Sequence, residues 1–207
     1  MNYCEEQSRN NLLCFLEDIE YANRKDAFFK LEKIFGERGV KWAVGCSMDL
    51  FLRGLTDEFH DLDLIVAKES IPVIKNIMKE LGAELTATGG NGFCESDVYL
   101  HYHIGRVDID IISGFRVMTF NTQYYYSYDE EEIDWMEFEG LQVPLISLEA
   151  MYILYYMMEG WQPKRRFKRR LIEQFFENSK PIHNEVFLKA LEFNLPGWIK
   201  WEIKKYL

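Results

Sequence analysis

The sequence lacks the features that mark exported, membrane-spanning and zinc-finger proteins. It has only four cysteines in 207 residues, Cys4, Cys14, Cys46 and Cys94, and they form no CxxC pair. We therefore predict free thiols in a reducing compartment, and neither a disulfide framework nor a zinc site. The N-terminus shows no basic start followed by an apolar run, and the longest apolar run, around 151–158, is too short to cross a bilayer. These absences predict a cytoplasmic protein.

Positive charge is also scarce, because 24 Lys and Arg stand against 34 Asp and Glu, for a formal net charge of −10. An acidic field repels phosphate backbones and membrane surfaces and attracts cationic small molecules, so we expect neither a DNA nor a membrane partner. One dense basic run, residues 164–170, departs from this balance. We interpret it as a solvated helix face. Two alternatives are that the run contacts an RNA backbone, or that Lys164 and Arg165 reach a nucleotide.

No internal repeat and no Pro-, Gly- or Ser-rich linker divides the chain. Apolar periodicity predicts, in chain order, helices at 11–20 and 25–37, a strand at 40–44, a helix at 48–53, a strand at 62–66, a helix at 71–81, a Gly-rich turn at 88–92, hairpins at 98–112 and 135–143, an irregular segment at 114–132, and a helix from Ser147 to Gly160 followed by two more. This order predicts an α/β or α+β fold with a mixed β-sheet flanked by helices. We divide it into a domain at 1–143 and a C-terminal helical region at 144–207.

The first candidate for chemistry is Gly45-Cys46-Ser47, between a predicted strand and a predicted helix. A glycine lets backbone approach a ligand closely, and the amides that begin a helix favour a phosphate. A tight strand-to-helix turn without a ligand explains the same three residues.

Two pairs of aspartates each begin or occupy an apolar strand. Asp61 and Asp63 share one strand face, as do Asp108 and Asp110, because strand side chains alternate. Carboxylates crowded on one face repel each other unless a cation lies between them, and Mg²⁺ prefers such oxygen ligands. The alternatives are a solvated strand end for the first pair and neutralisation by Arg106 for the second.

Two further features carry weaker hypotheses. The acidic run at 129–134, next to Tyr124, Tyr125 and Tyr126, could form a rim for a cationic sugar, but we favour an exposed loop. His101 and His103 share one strand face, and we predict packing or surface roles for them because no zinc-site spacing accompanies them.

Residues 42–66 resemble the signature of the nucleotidyltransferase superfamily related to DNA polymerase β. Within it, the segment is most similar to the small bacterial antibiotic-modifying nucleotidyltransferases for lincosamides and aminoglycosides. The positions that fit this layout are Gly45, Ser47, Asp49, Leu52, Thr56, Asp61 and Asp63. A third family carboxylate follows a valine on a later strand, which matches Asp108.

The resemblance implies a nucleotidyltransferase fold and a set of site residues. Asp61, Asp63 and Asp108 would be the catalytic and metal-binding carboxylates, with Mg²⁺ as cofactor and Asp110 as the alternative third carboxylate. Gly45, Cys46 and Ser47 would bind the nucleotide, although Cys46 occupies a position where the family usually has Gly or Ser.

We therefore predict a metal-dependent enzyme that transfers a nucleoside monophosphate from a triphosphate, most simply ATP, to a hydroxyl of a small molecule such as an antibiotic. Asp108 would deprotonate that hydroxyl. One alternative is a toxin-like member that modifies tRNA or protein, and another is a non-catalytic member of the fold. The sequence leaves a homodimer open.

Overall fold

The computed structural model describes residues 3–89, 94–119, 122–138, 140–160 and 162–207. Its helices are α1 Tyr3–Glu17, α2 Ala22–Glu37, α3 Cys46–Leu52, α4 Ile71–Glu80, α5 Leu148–Met158, α6 Pro163–Asn178, α7 Asn184–Glu192 and α8 Gly197–Ile203. Its strands are β1 Trp42–Val44, β2 Leu62–Val66, β3 Glu84–Thr88, β4 Cys94–Ile104, β5 Val107–Thr119, β6 Thr122–Tyr126, β7 Ile133–Phe138 and β8 Leu141–Ile146. Short 3₁₀ helices cover Lys68–Ser70 and Glu130–Glu132.

The strands form one mixed sheet in the order β3-β4-β5-β2-β1-β8-β7, and β6 pairs with β5 outside that path. The β2–β5 and β1–β8 pairs are parallel, whereas the other pairs are antiparallel. The predicted α/β fold with a mixed sheet flanked by helices is therefore confirmed.

The alternation of side chains along the central strands divides the core into two layers. On β2, Leu62, Leu64 and Val66 join a cluster with residues of α1, α2 and α4 on one face of the sheet. Ile65 joins the cluster formed with α5, α7 and α8 on the other face. Asp63 has the parity of Ile65, so its carboxylate lies on the face of the C-terminal helices.

Several sequence predictions agree with the structure element by element. The strand at 62–66 and the two hairpins are present, and Ser147 caps α5 through its hydroxyl, which accepts a hydrogen bond from the Ala150 amide. The helix at 151–158 is core, since nearly all of its side chains are buried. Most of the predicted Gly-rich turn, residues 90–92, and Glu139 of the second hairpin lie outside the described residues.

Three expectations were wrong. The segment predicted to be irregular holds the end of β5 and all of β6, whose tyrosines pack inward at Tyr124 and Tyr126. Strand β3 was missed because all five of its residues are exposed and its alternation rests on Leu85 and Ala87 alone. Three helices, not two, follow Pro163.

The predicted division of the chain at residue 143 falls inside β8, which pairs with β7 and with β1. The sheet thus continues to Ile146, and the helical region begins with α5. Within the part of the chain that the structure describes, no helix combines the length and the apolar character needed to cross a membrane.

Candidate active site

The turn between β1 and α3 brings backbone close to the sheet. A Cβ on Gly45 would lie 3.1 Å from the Ile65 side chain, so a larger residue there would require that side chain to move by a few tenths of an ångström. Cys46 follows with a φ of 54°, the left-handed region that suits glycine and costs other residues about 1–2 kcal/mol. The Ser47 hydroxyl points at Asp61 and donates a long hydrogen bond of 3.4 Å.

Three carboxylates meet at the ends of two neighbouring parallel strands. Asp61 precedes β2, Asp63 lies on it, and Asp110 lies on β5 directly opposite Asp63 in the strand register. One carboxylate oxygen from each of the three lies within 4.8 Å of the other two. We call Asp61, Asp63 and Asp110 the carboxylate cluster.

The structure thus brings together two of the three predicted metal ligands and supplies Asp110 in place of Asp108. Asp108 and Asp110 share a strand face, as expected, but the register sets Asp110 beside Asp63. The Asp108 carboxylate instead contacts His103, its partner across the β4–β5 pair. Because that contact draws Asp108 toward β4, Asp108 is absent from the cluster with Asp61 and Asp63.

The electrostatics of the cluster favour a cation. Burial, and then the neighbouring charges of Asp61 and Asp110, raise the pKa of Asp63 to about 8, although Arg165 and Lys168 oppose the shift. A buried carboxylate with two others beside it is stable in its charged form only when positive charge compensates it. Three converging oxygen ligands, without sulfur or nitrogen, fit a hard divalent ion such as Mg²⁺.

Asp110 is held in place by two side chains of β4. The Tyr99 hydroxyl donates a hydrogen bond of 3.0 Å to its Oδ1, and the Nδ1 atom of His101 lies 2.5 Å from the same oxygen. The tautomer of His101 with its proton on Nδ1 fits this contact, because an ionised carboxylate only accepts hydrogen bonds. Burial, together with the Asp110 charge, raises the pKa of Tyr99, which therefore stays a neutral donor.

A cleft of about 1040 Å³ opens on one side of the carboxylate cluster. All three carboxylates line it, together with Lys164, Arg165 and Lys168 of α6. A nucleotide bound in this cleft would thus lie beside Lys164 and Arg165, as one of the alternatives for the basic run proposed. The carboxylates therefore attract cations into the cleft, and the lysine and arginine side chains attract anions.

A smaller cavity of about 310 Å³ lies on the other side of the cluster and shares Asp63, Asp110 and Arg165 with the large cleft. Its remaining walls are mostly apolar or aromatic, with Tyr99, Phe115 and Met158 among them, and Cys46 also lines it. Two molecules bound in the two spaces would therefore meet at Asp63 and Asp110.

Behind the site, sequence analysis missed a buried ion-pair network. Arg53, at the end of α3, pairs with Asp49 at 2.5 Å and with Asp134 of β7 at 2.9 Å, and it donates to the Ile146 carbonyl. Asp134 also pairs with His183 at 2.9 Å. Burial raises the pKa of Asp49 to about 6 against the attraction of Arg53. The Asp49 position matched the family layout, but only the structure reveals its partners.

The basic run divides into residues with separate roles. Lys164, Arg165 and Lys168 line the cleft, whereas Arg169 is buried and pairs with Glu159 and Glu173. Arg170 is exposed. The interpretation as one solvated face therefore holds for part of the run.

The acidic run near the tyrosines lies away from the carboxylate cluster and is largely neutralised within the protein. Lys189 pairs with Asp129 at 3.0 Å and with Glu132 at 2.6 Å, and Asp134 belongs to the Arg53 network. Tyr124 and Tyr126 are buried. Neither a rim for a cationic sugar nor a fully exposed loop describes this segment.

The sequence pattern of the aminoglycoside-2''-adenylyltransferase family matches residues 27–171, which is more than half of the chain and includes the whole carboxylate cluster. The chain belongs to this family. It is a nucleotidyltransferase, as the resemblance implied. No curated protein sequence matches it.

Solved structures agree in fold. A nucleotidyltransferase from Thermotoga maritima is 19% identical, with a TM-score of 0.58 over 73% of this chain and 94% of that one. The aminoglycoside enzyme ANT(2'')-Ia, in complex with adenylyl-2''-tobramycin, is 17% identical, with a TM-score of 0.52 over 72% and 87%. The lincosamide adenylyltransferase LnuA, bound to lincomycin, is 12% identical, with a TM-score of 0.51 over 72% and 96%. At these identities the likeness shows the fold of the chain.

Proposed function

We propose that the protein is a Mg²⁺-dependent adenylyltransferase that moves AMP from ATP to a hydroxyl of a small-molecule acceptor. The observation that carries the proposal is the cluster of Asp61, Asp63 and Asp110 at the junction of two cavities. The family description and two of the relatives name adenylyl transfer, which supports ATP as the donor.

The donor fits the large cleft. Its triphosphate is strongly anionic and would bind where the carboxylate cluster and the cations of α6, Lys164, Arg165 and Lys168, line the same cleft. Asp61, Asp63 and Asp110 would hold Mg²⁺, which neutralises phosphate charge when bound. The turn formed by Gly45, Cys46 and Ser47 would contribute to nucleotide binding in the same proposal, with Ser47 lining the large cleft and Cys46 lining the smaller cavity.

The acceptor fits the smaller cavity, whose apolar and aromatic walls suit a sugar or drug ring. Asp63 and Asp110 line both spaces, so a hydroxyl placed there reaches the α-phosphorus of a donor in the cleft. The hydroxyl oxygen forms the new bond to phosphorus, the bond from phosphorus to pyrophosphate breaks, and the hydroxyl proton passes to Asp110. Tyr99 and His101 position Asp110 for that role.

The acceptor class follows from charge and from the relatives. The formal net charge of −10 attracts cations, and tobramycin and lincomycin both carry amines and hydroxyls. We therefore propose an aminoglycoside or lincosamide antibiotic as the acceptor, in a cytoplasmic setting.

The first test is a thermal-shift screen of the four nucleoside triphosphates with and without Mg²⁺. A ligand that binds only the folded state raises its apparent stability by mass action. We expect the largest shift with ATP and Mg²⁺ together, and we expect the doubly substituted Asp61→Asn/Asp63→Asn protein to lose it. Full activity in Asp63→Asn would contradict the assignment.

The second test identifies the acceptor. The protein is incubated with Mg²⁺-ATP and tobramycin, lincomycin or bulk tRNA, and the products are analysed by mass spectrometry. A gain of one AMP on an antibiotic supports the proposal. AMP transfer to tRNA alone would favour the macromolecular alternative, for which the exposed part of the basic run would be the contact surface.

A further inference from the structure

A second group of possible ligands lies beside the carboxylate cluster but differs from it in chemistry. His101 and His103 of β4 and Asp108 of β5 each offer one ligand atom, and these three atoms lie within 4.8 Å of one another. None of the three lines the large cleft or the smaller cavity. The catalytic arrangement gives no role to His103 and Asp108, and His101 serves there only by holding Asp110. We propose that His101, His103 and Asp108 bind a transition-metal ion, with Zn²⁺ as the best match.

Strand pairing builds this site. His103 lies opposite Asp108 and His101 lies opposite Asp110 in the antiparallel β4–β5 register, so all four side chains emerge on one face. Asp108 Oδ1 is 3.7 Å from His101 Nε2 and is in direct contact with His103 Nδ1. The ligands of a tetrahedral Zn²⁺ lie about 3.3 Å apart, given bonds of about 2.0 Å. Small side-chain rotations therefore suffice to admit the ion.

The orientation of His101 is already that of a metal ligand. Its Nδ1 contacts Asp110 at 2.5 Å, which leaves Nε2, 3.7 Å from Asp108 Oδ1, as the ring nitrogen that would bind a metal ion. Carboxylate support of the far nitrogen fixes the tautomer and raises the basicity of a metal-bound histidine. Asp110 would thus be a ligand in the carboxylate cluster and an outer partner of this second site.

Ligand type separates the two sites. The carboxylate cluster has only oxygen donors, which suit Mg²⁺, whereas two imidazoles and one carboxylate suit Zn²⁺. The side chains of His103 and Asp108 are 39% and 48% exposed, so solvent can deliver the ion and complete its coordination. Because Zn²⁺ binds deprotonated ligands, any proton held on His103 or Asp108 would be released to solvent when the ion binds.

The test measures Zn²⁺ affinity by competition with a chromophoric chelator. It uses the Asp61→Asn/Asp63→Asn protein, so that the carboxylate cluster cannot contribute. We expect one Zn²⁺ per chain in this background. Adding His103→Ala or Asp108→Asn should weaken Zn²⁺ binding about tenfold or more. Loss of a residue that only supports a metal ligand commonly has an effect of this size, so loss of a ligand should have at least as much.

The matched control is His60→Ala, which removes an exposed imidazole outside the proposed site and should leave the affinity unchanged. Circular dichroism checks that each variant is folded, and imidazole NMR signals of two histidines should shift when Zn²⁺ is added. Absence of Zn²⁺ binding, or binding undiminished in both His103→Ala and Asp108→Asn, would overturn the proposal. Neither result depends on whether the enzyme transfers AMP.

Discussion

At the scale of single residues, the decisive choice is between two aspartates two positions apart. Asp108 and Asp110 both lie on the face of β5 that carries the site, so the alternation of side chains cannot tell which of them is the third carboxylate. The parallel register with β2 places Asp110 opposite Asp63, whereas Asp108 contacts His103 on β4. Register is a property of two distant segments, so the sequence alone predicted a third carboxylate but not which one.

Asp110→Asn should therefore weaken divalent-ion binding at the carboxylate cluster, whereas Asp108→Asn should not. We expect a loss of affinity of about tenfold or more for Mn²⁺, a spectroscopic substitute for Mg²⁺, in the Asp110 variant. Electron paramagnetic resonance of free Mn²⁺, in the presence of ATP, measures the difference. Equal losses in the two variants would refute the assignment of Asp110.

Arg53 gives a second prediction at this scale, because it compensates two carboxylates in a nearly dry environment. The side chains of Arg53 and Asp49 are 12% and 0% exposed. Arg53→Met leaves Asp49 buried without its cation, which typically costs about 3–5 kcal/mol. Urea unfolding measures the free energy of unfolding. The control is Arg38→Met, whose exposed pair with Glu80 should contribute at most about 1 kcal/mol.

At the scale of elements, the strands that position the site could be predicted and the strands at the margin could not. β2 is apolar except for Asp63 and directly follows Asp61, so its limits are visible in the sequence. β3 is exposed along its whole length, and β6 is rich in tyrosine next to an acidic run. β3 is a strand because it pairs with β4, and β6 because it pairs with β5. The residues of each segment do not by themselves indicate that pairing.

Helix α6 carries a prediction of its own. Lys168 faces the cleft and Arg170, on the same helix, is exposed away from it. Lys168→Gln should lower ATP affinity about tenfold, since a hydrogen bond to a charged group contributes about 1.5–3 kcal/mol. Isothermal titration calorimetry with ATP and with AMP should show a smaller effect on AMP, which lacks the outer phosphates.

Arg170→Gln is the matched control for that experiment, because it removes the same charge from the same helix. If both substitutions weaken ATP binding equally, the effect comes from the overall field and not from a contact of Lys168 with the phosphates.

At the scale of the whole molecule, His183 joins the sheet to the C-terminal helices. Its ring contacts Asp134 of β7 and Glu185 of α7, each at 2.9 Å, and its amide donates to Glu149 of α5. Arg53 shares Asp134 with it. Burial lowers the pKa of His183, but its contacts with Glu185 and Asp134 outweigh burial and raise that pKa above the usual value.

This raised pKa sets the sign of a pH effect on stability. Protonated His183 stabilises the native state fully below the unfolded pKa of about 6.5, and this contribution is lost as pH rises through the higher native pKa. The difference in free energy of unfolding between the natural protein and His183→Gln should therefore be largest near pH 6 and shrink toward pH 9. A difference that stays constant or grows with pH would contradict a raised pKa.

The central position of β1 has a consequence for synthesis. One edge of β1 pairs with β2, which follows soon after, but the other edge waits for β8, where Val44 meets Leu145. A ribosome-bound chain therefore carries an unpaired apolar strand edge through the synthesis of β2 to β7. Such edges pair with other chains, so we expect the nascent chain to depend on chaperones until β8 has been synthesised. Fragments that end before β8 should be recovered mainly as aggregates.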